Sequence, residues 1–249
     1  MTRLGPLRPV LAAFAFLTRL PVPGGPFLDR EVGRSLAFFP LVGLLLGLAA
    51  SGVAALGGGV LPSLVLAVLL AALLAVLTGG LHLDGVADLF DALGGGRGDR
   101  ARMLEIMRDS RIGAHGTAAL VFVVLAKVAA LEPAVARGDL VALLAFPVIA
   151  RWAAAPLVVL YPYARPEGLG RAFAGEARAV QLLGATALLG LVVAGAGTRL
   201  LVPALGAGAV ALGLGFWLTR KLGGLTGDVY GAAIEIAEVT ALVLADVIR

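Results

Sequence analysis

Residues 35–56 read Ser35-Leu36-Ala37-Phe38-Phe39-Pro40-Leu41-Val42-Gly43-Leu44-Leu45-Leu46-Gly47-Leu48-Ala49-Ala50-Ser51-Gly52-Val53-Ala54-Ala55-Leu56, twenty-two positions without one charged side chain. As a helix, a run of this length crosses the roughly 30 Å hydrocarbon core of a bilayer. Gly57-Gly58-Gly59 follows as a tight turn, and the apolar run resumes over 60–77. Further runs cover 113–131, 140–162, 180–197 and 200–218, with a weaker one, acids inside it, at 229–248. The run 9–18 is too short to cross and is expected to lie at the interface or to re-enter. Arg3 and Arg8 ahead of it imitate a signal peptide. Arg19 breaks the run and Pro21 and Pro23 follow with no small-residue cleavage site, so the segment is expected to be retained. The expected fold is a single all-α, polytopic membrane helical bundle over residues 1–249, with about six to eight membrane segments.

Composition agrees with this reading. The chain is 60% hydrophobic and 14% charged, with mean hydropathy +1.00, where a soluble domain carries about 25% charge. A soluble globular enzyme and a disordered chain are both excluded, and 249 residues leave no room for a separate soluble catalytic domain. Any chemistry must come from span ends and short loops. With no cysteine there are no disulfides and no thiolate metal sites. Net charge is +4, and every basic residue but Lys127 and Lys221 is arginine. In so apolar a chain basic loops set orientation. The expected partner is membrane lipid, not nucleic acid, and a homo-oligomer is compatible with the sequence.

Loop charges give the orientation. One set of loops holds Arg30 and Arg34; Arg97, Arg100, Arg102, Arg108 and Arg111; Arg165, Arg171 and Arg178; and Arg220 and Lys221, twelve in all. The opposite set holds only Arg137 and Arg199. By the positive-inside rule the first set faces the cytoplasm.

The acids are clustered. Six of sixteen fall in the expected loop 78–112: Asp84, Asp88, Asp91, Asp99, Glu105 and Asp109. Asp84, Asp88 and Asp91 stand at i, i+4 and i+7, which on a helix lie within about 60° of one another. Unpaired like charges on one face destabilise a helix, and a hard divalent ion such as Mg²⁺ or Mn²⁺ resolves them. A solvated acidic face is the alternative. Asp228 and Glu235, seven apart, share a face of the last run, with Gly231 between them. An acid about two turns into the bilayer is functional by default. Lys127 and Arg151 are the obvious buried partners for Glu235 and Glu238, and a purely structural Glu235–Arg151 pair is the alternative. The arginines of the loop suit phosphate oxygens, or else mark the cytoplasmic side. His115 is a candidate base or an interfacial histidine. The residues read as a membrane enzyme acting on a diphosphate substrate with Mg²⁺, its site at the cytoplasmic surface.

Six motifs then occur in order: 16–23 (Phe-Leu-Thr-Arg-Leu-Pro-Val-Pro), 39–43 (Phe-Pro-Leu-Val-Gly), 81–88 (Leu-His-Leu-Asp-Gly-Val-Ala-Asp), 107–113 (Met-Arg-Asp-Ser-Arg-Ile-Gly), 164–170 (Ala-Arg-Pro-Glu-Gly-Leu-Gly) and 226–228 (Thr-Gly-Asp). Together they resemble the cobalamin synthase family, the adenosylcobinamide-GDP ribazoletransferases, over about residues 13–240. The resemblance implies that adenosylcobinamide-GDP and α-ribazole (or its 5′-phosphate) give adenosylcobalamin (or its phosphate) and GMP, in the cytoplasmic membrane and with Mg²⁺. On that reading Asp84 and Asp88, helped by Asp91 and Asp228, hold the metal. The ribazole 3′-hydroxyl attacks the phosphorus attached to cobinamide, and Glu235, Asp109 or His115 accepts its proton. Arg102, Arg108 and Arg111 lead as phosphate clamps, with Arg19 and Arg171 behind them. Two positions depart from the pattern: Ala92 replaces an expected glycine, and Tyr230 stands where a smaller or aliphatic residue is commoner.

Competing readings are a CDP-alcohol phosphotransferase or an intramembrane prenyltransferase, which also hold metal with aspartates four apart. The first expects Asp-Gly-x-x-Ala-Arg, whereas Ala87 is followed here by Asp88. The second needs another aspartate-rich loop, which Asp228 and Glu235 match only loosely. A transporter predicts acids midway through several spans, and a non-catalytic subunit does not need the arginines and aspartates together. Because the chain lacks cysteine, a cysteine placed at Gly98 tests the orientation. Impermeant maleimide is expected to label it only in inverted vesicles, and labelling in intact cells overturns the assignment.

Overall fold

A computed structural model describes residues 5–248, so Arg3 lies outside the described residues. The helices are α1 (Arg8–Leu17), α2 (Asp29–Ser35), α3 (Phe39–Gly57), α4 (Ser63–Thr78), α5 (Leu81–Gly95), α6 (Arg100–Ile106), α7 (Ala114–Ala136), α8 (Leu140–Leu160), α9 (Leu169–Glu176), α10 (Ala179–Ala196), α11 (Leu201–Leu222) and α12 (Gly227–Val247). Among the described residues there is no sheet, only one isolated bridge between Tyr163 and Leu225. The all-α reading holds.

Five helical stretches are long and apolar enough to span a bilayer: 29–57, α7, α8, α10 and 198–222. The pair α4 and α5, bent by 91° at Gly79-Gly80, makes up to six. α12 is 21 residues long and carries the acids that lower the hydropathy of the 229–248 run. The region 78–112, expected as a loop, is mostly α5 and α6. Its polar side chains masked the helices in a hydropathy reading. The large side chains on the outer faces are apolar, Phe122 and Leu191 among them at 71% and 70% exposure, as lipid contact requires. The protein is a multi-pass membrane protein by this construction.

Inside the bundle, α8 and α12 are the most buried helices, with α3 and α11 against α8 and α5, α7 and α11 against α12. Small residues make these approaches. A Cβ at Gly43 would stand 2.6 Å from the Cα of Val148, so α3 meets α8 backbone to backbone.

Charge is sorted along the bundle. At the α3–α4 end, Arg137 pairs with Asp246, and Arg199 donates to Asp139 at 3.0 Å. The two basic residues of the poor loop set are thus neutralised by acids beside them. In the middle of the bundle Lys127 of α7 pairs with Glu235 and, at 2.6 Å, with Glu238, while Arg151 of α8 pairs with Glu238. The expected alternative pair was Glu235 with Arg151. The structure instead gives Arg151 to Glu238 and Lys127 to both acids. Two cations and two anions cancel where solvation is absent, and removing one partner strands a buried charge. Glu238→Ala is therefore expected to cost about 3–5 kcal/mol. Melting of the detergent-solubilised protein measures this, and Glu238→Ala combined with Arg151→Met is expected to recover part of the loss.

Candidate active site

The opposite end of the bundle carries the aspartates. α5 begins after Gly79 and Gly80, both left-handed (φ +63° and +71°), which turn the chain sharply away from α4. Arg19 lies over this turn, its backbone N–H donating to the Leu77 carbonyl at 2.8 Å. α5 then packs on α12 at two glycines. A Cβ at Gly85 would lie 2.6 Å from the Asp228 carbonyl oxygen, and one at Gly231 would lie 3.2 Å from the His82 Cα. This contact sets Asp228 against the turn of α5 that carries Asp84 and Asp88. Asp88, half-buried, has Asp228, Asp84 and Asp91 as like-charged neighbours and Arg165 as the opposing charge.

Arg165 was counted in the sequence only as a loop charge. The chain after α8 is pinned to the chain before α12: Ala164 donates to the Leu225 carbonyl and Leu225 to the Pro162 carbonyl, each at 2.8 Å. Gly224 permits it, since a Cβ there would meet the Pro162 oxygen at 2.7 Å. The clip brings Arg165 to Asp228 at 2.8 Å, and Thr226 also donates to that carboxylate at 3.2 Å. Local pattern carries no sign of a pairing 63 residues apart, although Arg165 and Asp228 each fall in one of the motifs quoted above.

Two cavities meet at Asp84. An open cleft of about 740 Å³ is lined by Asp84, Asp88, Arg19, Arg111 and Thr18. A smaller chamber of about 200 Å³ is lined by Asp84, Asp228, Arg165 and aromatic side chains. Asp84 and Asp88 have no hydrogen-bond or ion-pair partner among the described residues. Their donor chemistry, with that of Asp228, is three carboxylates opposed by one guanidinium, the hard-oxygen donor type that divalent ions such as Mg²⁺ take. No three acidic or histidine side chains among the described residues are gathered tightly enough to enclose one.

Other expected site residues lie elsewhere. Asp91 turns to the N-terminus of α7, where Gly113 and Gly116 donate N–H groups to its two oxygens at 2.6 and 2.8 Å. It anchors a helix end instead of joining Asp84 and Asp88. Glu235 belongs to the buried ion cluster. His115 packs beside Gly94 and lines an apolar groove between α5, α7 and α12, outside both cavities. Asp109 pairs with Arg111 at 2.6 Å, and this guanidinium holds its carboxyl down to about 2, too acidic to serve well as a base. Arg102 pairs with Glu105 at 2.8 Å on the surface of α6. Arg108 and Arg171 are exposed and line neither cavity. Arg111 and Arg19 are the two expected clamps that reach the open cleft.

The cobalamin-5-phosphate synthase family model matches residues 9–245. The chain belongs to that family. Its relatives include the adenosylcobinamide-GDP ribazoletransferase of Roseiflexus sp., 47% identical over 96% of this chain and 89% of the relative. The enzymes of the same name from Syntrophobacter fumaroxidans (45%; 92% of this chain, 94% of theirs) and Klebsiella pneumoniae (44%; 95% and 98%) are similar. No solved structure matches. Cobalamin-5-phosphate synthase membership identifies an enzyme, and the geometry separates its paired acids from its unpaired ones. Asp91→Ala, which removes two bonds to backbone N–H groups, is expected to cost about 1–3 kcal/mol. Asp84→Ala, which relieves like-charge repulsion, is expected to leave the melting temperature unchanged or higher. An unaltered melting temperature in Asp91→Ala would overturn the anchoring role.

Proposed function

We propose that the protein joins α-ribazole, or its 5′-phosphate, to adenosylcobinamide-GDP, giving adenosylcobalamin, or its phosphate, and GMP. The observation that carries this reading is Asp84 at the junction of a large open cleft and a smaller, aromatic-lined chamber. A transfer between a very large donor and a small acceptor needs two sites of unequal size that touch at the reacting atoms. The names of the relatives supply the two substrates.

In this reading the donor lies in the open cleft, its diphosphate against the guanidinium groups of Arg19 and Arg111. The acceptor hydroxyl oxygen attacks the phosphorus attached to cobinamide, the P–O bond to the GMP phosphate breaks, and GMP leaves with that bond's electrons. The hydroxyl proton leaves to water through the open cleft, which Asp84 and Asp88 line. Arg165 keeps Asp228 oriented toward α5. Mg²⁺ would be held by Asp84, Asp88 and Asp228 and would neutralise charge developing on the diphosphate. The enzyme sits in the cytoplasmic membrane with this end of the bundle inward, the end where the arginine-rich segments gather.

The test supplies detergent-purified protein with adenosylcobinamide-GDP, α-ribazole and Mg²⁺ and measures GMP. GMP release is expected, lost on chelation and restored by Mg²⁺ or Mn²⁺. Asp84→Ala and Asp88→Ala are each expected to lower turnover by about 100-fold or more while the protein still inserts and folds. Wild-type rates in both variants refute their role, and no GMP from folded wild type refutes the reaction.

A further inference from the structure

The chamber beside Asp84 is built in a way that transfer chemistry alone does not require. Phe16, Phe39 and Phe173 form one wall, with Phe173 edge-on to Phe16 at 4.6 Å and to Phe39 at 5.4 Å between ring centroids. Tyr163 and Tyr230 are further lining residues. Among this apolar lining stand three residues with unmatched polar atoms: His82 Nε2, Arg165 Nε and the Tyr230 hydroxyl are buried and have no hydrogen-bond partner among the described residues. His82 is 2% and Tyr230 8% exposed, so water does not serve them freely. His82 turns its Nδ1 edge toward Arg151, at 3.5 Å, leaving Nε2 on the other side of the ring. Buried polar atoms left unpaired carry a desolvation cost, and three on residues that line one cavity suit a ligand that completes the bonding.

We propose that this chamber is the subsite for the nucleoside acceptor, with its flat base against Phe16, Phe39 and Phe173 and its ribose hydroxyls and free ring nitrogen on His82, Arg165 and Tyr230. The inference rests on the reaction proposed above and adds which cavity takes which substrate. About 200 Å³ holds a bicyclic base with part of its ribose and excludes a corrin macrocycle. Guanine, the other base in the reaction, carries polar groups along its edge that three phenylalanines would leave unpaired. A benzimidazole-type base presents an apolar edge to the same wall. A sugar seated on Arg165 and Tyr230 has its hydroxyls beside Asp84 and Asp228, where attack on the donor must begin.

Tyr230 separates this assignment from the others, because Tyr230→Phe removes one oxygen and Tyr230→Trp fills the chamber. Binding of radiolabelled α-ribazole to the full-length protein in detergent, without donor or metal, is measured first. Wild type is expected to bind it, GMP is expected not to compete, and Tyr230→Trp is expected to weaken binding at least tenfold with its melting temperature retained. In steady-state turnover, Tyr230→Phe is expected to raise the KM for α-ribazole by about three- to tenfold and to leave the KM for adenosylcobinamide-GDP unchanged. Competition by GMP, or a shift confined to the donor KM, overturns the proposal and gives the chamber to guanine. Wild-type acceptor binding and KM in Tyr230→Trp also overturn it. α-Ribazole binding by a wild type that releases no GMP counts against the reaction and leaves the subsite standing. GMP release with an acceptor KM indifferent to Tyr230 does the reverse.

Discussion

At Gly85 and Gly231 the backbones of α5 and α12 meet with no side chain between them, and the polar end of the bundle depends on that contact. In a bilayer, helices gain little from burying apolar surface against each other, because lipid is equally apolar. Close backbone approach and polar pairing decide the arrangement instead. Here the approach has an electrostatic cost, since it sets Asp228 against the face of α5 that carries Asp84 and Asp88. Two features oppose the cost: Arg165 at Asp228, and the Lys127–Glu235–Glu238–Arg151 cluster further along α12. That cluster ties α12 to α7 and α8 and fixes its register. A slip of one residue would take Glu238 off Arg151 and Asp228 off Arg165 together.

The fold was legible where physics is local. Hydropathy runs located the long helices, and the i, i+4 spacing put Asp84 and Asp88 on one face, where both line the open cleft. The reading thinned where a residue's role depends on a distant partner. Asp91 shares the spacing of its neighbours, yet its oxygens go to amides 22 and 25 residues away at the start of α7. Glu235 reads as a functional acid because a carboxylate in lipid is costly, but Lys127 answers that cost without any chemistry. Arg165 escaped notice for the opposite reason. An arginine just past a span looks like an orientation signal, and only the clip between Pro162, Ala164 and Leu225 carries it to Asp228.

The same sorting explains why so few charges suffice. Arg137, Arg199, Lys127 and Arg151 have carboxylates at hand, and Asp139, Asp246, Glu235 and Glu238 have these cations in return. Among the described residues Asp84 and Asp88 have no such partner. An unpaired carboxylate is cheap in water and expensive in lipid, so these two can persist only at an aqueous cleft, and there they remain available to bind.

Position along α5 then gives the two acids different reach. Asp88 faces the open cleft alone, whereas Asp84, one turn nearer the Gly79-Gly80 bend, faces both the cleft and the aromatic chamber. The bend is what makes this possible. The 91° turn takes α5 off the line of α4 and packs it on α12, with Asp84 on the boundary between two cavities. A two-substrate reaction built at helix ends uses such a boundary. In this chain a pair of left-handed glycines and a pair of close-packed ones supply it.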